Sequence, residues 1–224
     1  MNEPKAGRDW KALYEALGVF LLIMLYIWWV RLTHPWVAAA VIGFVISTHF
    51  VHGESSRWLG FGWKNFRGAL LVVAPLVALL ALVLMGAGFL FRTVRETSVT
   101  QAAAGLAAYV LWGLFQQYLL NGYFVNRMAE FQRQPHGHAV PLAAAALFSL
   151  VHLPNWFLMA VTFAGGYVCV RLYLRYRNLY VLALAHGVVG FCLFLVVPDS
   201  IGAHFLVGPG YVLRMYGTYP EMLL

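Results

Sequence analysis

The segment that decides the fold is TQAAAGLAAYVLWGLFQQYLLNGYF, residues Thr100–Phe124, which contains no charged side chain. A helix needs about 20 mainly apolar residues to cross a bilayer, so this segment predicts a membrane span. Within it, Gln116, Gln117 and Asn121 are polar. Polar groups at membrane depth are costly unless another group satisfies them, so we interpret these three as candidate functional residues.

The composition of the chain extends this prediction to the remaining segments. The protein has 224 residues, of which 62% are hydrophobic and 10% are charged. A soluble domain is about 45–50% apolar and about 25% charged, so we predict an all-α, polytopic transmembrane helix bundle of about seven spans. The candidate spans are Leu17–Val30, Pro35–Val51, Gly68–Phe91, Thr100–Phe124, Val140–Leu153, Asn155–Val170 and Leu179–Val197.

The distribution of basic residues predicts the orientation of these spans. We divide the chain into an N-terminal segment (1–16), one transmembrane domain (17–197) and a C-terminal surface tail (198–224), in which the glycines around Pro209 should break any helix. Eleven lysines and arginines then fall on the side of the N-terminus and four on the other side. Because basic loops stay in the cytoplasm, we expect a cytoplasmic N-terminus, in a multi-pass protein of the bacterial inner membrane.

Charge and cysteine usage exclude several kinds of site. The formal net charge is +7, but the basic residues lie in short loops and form no stripe, so we expect no nucleic-acid partner. Cys169 and Cys192 lie in predicted spans without metal-type spacing. All eight acidic residues fall in tails, loops or span ends, so neither a paired-carboxylate site nor a hard-cation site is expected in the membrane. We therefore predict no metal and no cofactor.

Two histidines extend the set of polar residues at membrane depth. His186 lies in the last candidate span and His152 closes the fifth. A rise of about 1.5 Å per residue places Gln116, Asn121 and His186 roughly 5–12 Å from the same end of their spans, and His152 joins them if its short helix tilts. The alternative for each residue is a structural hydrogen bond between helices. A second pair near a span end, His49 and His52, is expected to be solvated.

The order of these residues resembles a known membrane-enzyme family. Three patterns, Gln116-Gln117-x-x-x-Asn121, Phe148-x-x-x-His152 and His186-x-x-x-Gly190, follow one another along the chain. They are similar to the Glu-Glu-x-x-x-Arg, Phe-x-x-x-His and His-x-x-x-Asn/Asp motifs of the CAAX protease and bacteriocin-processing (Abi) family, over roughly residues 100–197. The resemblance implies that Gln116, Gln117, Asn121, His152 and His186 occupy the catalytic positions. We add Phe148, Ser149, Asn155 and Gly190 as candidate substrate-binding residues.

The departures from the family pattern bear directly on chemistry. A glutamine amide has no basic lone pair near neutral pH, so Gln116 and Gln117 cannot replace a glutamate that acts as general base. Losing a general base typically costs about 10²–10⁴ in rate, so the family's glutamate chemistry is not expected. Glutamates deliberately replaced by glutamine would look the same, but Asn121 and Gly190 also depart from the pattern, which favours natural divergence.

Two functions of different classes follow. The first is a non-proteolytic protein that binds a membrane lipid or a lipidated or hydrophobic peptide, or that serves a membrane-protein partner. The second is an enzyme of altered chemistry, in which His152 or His186 is the base and the amides stabilise an oxyanion during hydrolysis or acyl transfer. Ser149, three residues before His152, could be its nucleophile. A true peptidase of the CAAX type and a transporter are the remaining alternatives.

Overall fold

The computed structural model describes residues 9–132 and 137–217, and within these ranges it contains helices and no strand. The predicted all-α class and polytopic bundle are therefore confirmed. The α-helices are α1 Trp10–Leu25, α2 Val37–Val51, α3 Phe66–Phe91, α4 Val99–Gln117, α5 Asn126–Gln132, α6 Ala139–Leu150, α7 Trp156–Tyr176, α8 Leu179–Val196, α9 Asp199–Gly202 and α10 Pro209–Tyr216.

Five helical stretches are long and apolar enough to cross a membrane. They are Trp10–Val30, Phe66–Phe91, Val99–Gln132, Trp156–Tyr176 and Leu179–Val196. The other two candidate spans correspond to α2 and α6, which are apolar but shorter. The chain is thus an integral membrane protein with helices at all seven predicted positions, while its orientation and its particular membrane stay predictions.

Helix α1 begins earlier than the sequence analysis expected. The Asp9 carboxylate accepts hydrogen bonds from the backbone N–H groups of Lys11 (3.1 Å) and Ala12 (3.4 Å), as an N-cap residue does. The helix therefore starts at Trp10, not at Leu17, and Glu15 lies inside it rather than in a separate N-terminal segment. The first eight residues of that predicted segment lie outside the described part of the chain.

Helix α4 carries the candidate amides and changes its winding beside them. It starts with a capping box, in which the Ser98 hydroxyl accepts from the backbone of Gln101 (3.2 Å) and the Gln101 side chain accepts from the backbone of Ser98 (3.0 Å). After Gln117 the chain continues as a π-helix, Tyr118–Val125, and then as α5. The helical stretch therefore continues past the predicted span end at Phe124, as far as Gln132. Such π-helical turns are rare and often occur at functional sites.

Close packing of α4 against α8 brings the polar residues of the two helices together. A Cβ atom added to Gly187 on α8 would lie 2.5–2.8 Å from Val110 on α4, including its backbone atoms. Small residues allow membrane helices to approach in this way. Helix α8 also packs against α3, α6 packs against α7, and α1 packs against α5.

The C-terminal segment is more than a surface tail. It forms α9, a short 3₁₀ turn at Ala203–Phe205, and α10. The expected break at Gly208 is instead the start of α10, with Pro209 as the first helical residue. Residues 218–224 of the predicted tail lie outside the described residues.

Candidate functional site

A hydrogen-bonded chain of two amides and one imidazole joins α4 to α8. The Asn121 amide donates to Gln117 Oε1 at 2.7 Å. Gln117 Nε2 lies 3.2 Å from His186 Nδ1. Gln117 and Asn121 are almost completely buried, at 1% and 0% exposure, so the chain is formed away from solvent. The tight contact at Gly187, one residue after His186, explains how the two helices place these groups within hydrogen-bond distance.

Phe148 brings the second histidine to the same region. His152 lies in the turn after α6, and its Nδ1 is 2.7 Å from the carbonyl oxygen of Phe148. The Phe148 ring centroid lies 5.1 Å from the ring of His152 and 6.3 Å from the ring of His186. The shared contact with Phe148 therefore places the two imidazoles in one region.

The hydrogen bonds assign different roles to the two imidazoles. A carbonyl oxygen only accepts, so His152 Nδ1 carries the proton and its Nε2 has a free lone pair. The bond from Asn121 orients the Gln117 amide so that its Nε2–H points at His186. His186 Nδ1 therefore accepts, and its proton is on Nε2. The site thus presents one acceptor, on His152, and one donor, on His186.

The other two candidates on these helices form no hydrogen bond with this chain in the described residues, although a Cβ added to Gly190 would lie 3.9 Å from the ring of His186. Gln116 is half-buried, and its side chain makes no hydrogen bond within residues 9–132 and 137–217. Gly190 faces α4, where an added Cβ would lie 3.1 Å from the ring of Tyr109. The Tyr109 ring thus fills the space beside Gly190 that an asparagine or aspartate side chain would need.

Ser149 and Asn155 make bonds within the protein. The Ser149 hydroxyl donates to the carbonyl of Met159 at 2.8 Å, across to α7, and not to His152, which leaves a Ser–His pairing without geometric support. Asn155 is fully buried and caps the start of α7, accepting from the backbone of Leu158 at 3.1 Å. Neither side chain is oriented toward the imidazoles by these bonds.

A second polar cluster, which the sequence analysis missed, surrounds Arg127. Its guanidinium is fully buried and donates to Glu15 (2.8 Å) and to both oxygens of Glu54 (2.7 and 3.1 Å). His49 lies 2.5 Å from Glu54 and His52 lies 2.8 Å from Glu15. We call these five residues the Arg127 network. His49 is 5% exposed, so the expectation that it is solvated is wrong.

The Arg127 network is separate from the amide–imidazole chain. Arg127 donates to Glu15 and Glu54, so it does not replace the arginine that the family motif has at the position of Asn121. Local sequence offers no signal for it, because the paired residues are 112 and 73 positions apart. In the described parts of the chain, no group of three or more histidine, cysteine, aspartate or glutamate side chains is arranged to hold a metal ion.

The network should make stability depend on pH. Burial raises the pKa of the Glu54 carboxyl, but hydrogen bonds from Arg127 and His49 outweigh this effect, so its pKa lies below the ordinary value. A lowered folded-state pKa gives stability that is fully present above about pH 4.3 and is lost as the pH falls through the folded-state value. We expect the melting temperature in detergent to fall on acidification over that range, and to fall less in Glu54→Gln. Equal acid sensitivity of the two proteins would contradict this assignment.

Comparison with known proteins agrees with the motif order. The family model described as "Type II CAAX prenyl endopeptidase Rce1-like" matches residues 98–192, which include α4, the π-helical segment, α5, α6, α7 and most of α8. No curated protein and no solved structure matches the chain. The predicted resemblance to the CAAX protease family is confirmed by this match.

Proposed function

Because residues 98–192 match the Rce1-like family of CAAX endopeptidases, we propose that the chain binds a hydrophobic or lipidated peptide within the membrane without cleaving it by the family's glutamate chemistry. The observation that carries the proposal is the amide–imidazole chain itself. Gln117 already donates to His186, and no carboxylate among the described residues bonds to Gln117, Asn121, His152 or His186.

The two imidazoles are complementary to a peptide group. His186 Nε2–H can donate to a backbone carbonyl, and the lone pair of His152 Nε2 can accept from a backbone N–H. The apolar ring of Phe148 lies beside both imidazoles, 5.1 Å from His152 and 6.3 Å from His186 between ring centroids. Such a site, mainly apolar with a few convergent polar groups, is typical of ligand pockets. The ligand would be a membrane-embedded amphiphile, since the site lies among helices long enough to span a bilayer.

A second candidate function is supported by the free lone pair of His152. A neutral imidazole can serve as a general base near pH 7, and the His186 donor could stabilise a developing oxyanion. Hydrolysis or acyl transfer on a membrane-embedded substrate would then depend on both histidines. This function differs from peptide binding in one respect: the bound substrate would react and leave as product.

We expect the purified protein in lipid nanodiscs to bind farnesylated and acylated peptides saturably and to release no product. Each imidazole contributes one hydrogen bond to an uncharged group, so His186→Ala or His152→Ala should weaken binding by about 2- to 10-fold. The matched control is His138→Ala, because His138 is exposed and stacks on Tyr167 rather than lying at the site. Binding would be measured with radiolabelled peptide and turnover by mass spectrometry.

The outcomes separate the two functions. Binding that survives both histidine changes would leave the cluster irrelevant and refute the proposal. If the protein forms product and either histidine change abolishes it, the non-proteolytic hypothesis is refuted and the histidine-based enzyme is supported.

A further inference from the structure

The turn that carries His152 is held by a distant part of the chain. The backbone N–H of Gly208 donates to the carbonyl of Leu153, the residue after His152, at 2.6 Å. The Asn155 amide donates to the carbonyls of Gly202 (2.9 Å) and Leu206 (3.1 Å). We call residues 199–210 the strap. Three hydrogen bonds thus connect the strap to Leu153 and Asn155, which follow His152 in the chain.

The backbone of the strap is strained at its centre. Ala203, His204 and Phe205 have φ values of 47°, 52° and 58°, in the left-handed region that residues other than glycine rarely adopt. Such conformations persist only where the surrounding structure over-determines them, and they cluster at functional sites. The two carbonyls that Asn155 contacts belong to the residues that flank this run on either side. Asn155 therefore holds both ends of the strained turn.

The other end of the strap is anchored separately. Asp199 pairs with Arg95, which also donates to the carbonyls of Phe194 (2.7 Å) and Val197 (3.0 Å) at the end of α8. Gly208 lies against Tyr26–Val30, the π-helical turn that follows α1, where an added Cβ would be 2.8 Å from the side chain of Ile27. The strap therefore runs from the end of α8 to the π-helical turn after α1, and it crosses the turn after α6 on the way.

We propose that Asn155 is a positioning residue, which through its two hydrogen bonds to the strap fixes the turn after α6 and so the placement of His152 beside Phe148. The strap would thus act on the ligand site through the placement of His152. The proposal rests on the proposed function only in that His152 contacts the bound peptide. The placement of His152 itself requires no bound ligand.

The test uses Asn155→Asp, with Asn178→Asp as its matched control. An aspartate keeps the oxygen that caps the helix but loses the N–H groups that donate. Asn178 has the same geometry at the start of α8, since it accepts from Val181 (3.0 Å) and donates to the carbonyl of Gly62 (2.7 Å). The pair thus removes the same kind of donor at two sites, of which only one contacts the strap.

Two measurements on the unliganded protein in nanodiscs give the answer. Loss of two hydrogen bonds in Asn155→Asp should raise amide hydrogen exchange of residues 199–210 by about 10- to 100-fold. In the same variant, the ring ¹⁵N resonances of His152 should shift while those of His186 keep the pattern of the parent protein. Asn178→Asp should leave the strap exchange and the His152 resonances unchanged.

Faster strap exchange with unmoved His152 resonances would overturn the proposal, because the strap would then be a purely structural element. If Asn155→Asp does not fold, Arg95→Gln releases the far anchor of the strap and should shift the His152 resonances in part. Unmoved His152 resonances in that variant would overturn the proposal equally. Shifted His152 resonances together with unchanged peptide binding would count against the proposed function and not against the role of Asn155.

Discussion

Replacing Arg127 with methionine is expected to lower the free energy of unfolding by about 3–5 kcal/mol. The Arg127 side chain is fully buried, and the substitution leaves the carboxylates of Glu15 and Glu54 without their main partner. The Glu54 side chain is 6% exposed, so water cannot replace the lost hydrogen bonds. Removing one partner of a buried ion pair is far more costly than the pair itself is stabilising, because an uncompensated charge stays behind.

The measurement is reversible unfolding of the parent and variant proteins in mild detergent. The control is Arg175→Met, because Arg175 is exposed and its guanidinium lies over the neighbouring ring of Tyr176, 5.3 Å from the ring centroid. Surface substitutions of this kind usually change stability by less than about 0.5 kcal/mol. Similar unfolding of the two variants would show that the Arg127 network does not hold α1, the α2–α3 loop and α5 together.

Gly187→Ala is expected to destabilise the protein by about 1–3 kcal/mol and to weaken peptide binding as well. The added methyl group would lie 2.7 Å from Val110 Cα and 2.8 Å from Val110 N. Because these are backbone atoms, relief requires α4 and α8 to move apart. The 3.2 Å contact between Gln117 and His186 lies at this interface, so the same movement should break it.

Gly165→Ala is the matched control for that substitution. Gly165 also lies within a helix, α7, but no atom lies within 4 Å of an added Cβ. Alanine is a better helix former than glycine, so this change should be neutral or should stabilise by about 0.5–1 kcal/mol. Melting and peptide-binding measurements on the two variants check the prediction, and equal behaviour would mean that the α4–α8 contact does not position the site.

The helices could be predicted from local sequence because the properties that make a segment helical belong to neighbouring residues. Uncharged stretches such as Thr100–Phe124 must satisfy their backbone groups internally in a membrane, which only a helix does there. Errors in the bounds arose where capping or winding intervened, as at Asp9, which starts α1 early, and at Tyr118–Val125, where the π-helix continues the predicted span. Motif order also sufficed for the family, which the match over residues 98–192 confirms.

Local sequence did not decide which polar residues work together. Gln116 and Gln117 are equivalent in the motif, yet only Gln117 faces His186, because the rotation of α4 is set by its contact with α8. The distinct protonation of His152 and His186 likewise depends on partners from Phe148 and from another helix. The interpretation of Asn155 as a substrate-binding residue overlooked carbonyls 47 and 51 positions later in the chain.

The amino-acid sequence by itself determined that this chain is a helical membrane protein whose motif order resembles that of the CAAX endopeptidases, with amides at the positions of the motif's glutamates. The tertiary structure decided the Arg127 network, the amide–imidazole chain and the strap. The physical reason is that apolar length and helical winding are properties of neighbouring residues. Hydrogen bonds between helices depend instead on the depth and rotation of each helix, which close packing sets only once the bundle has formed.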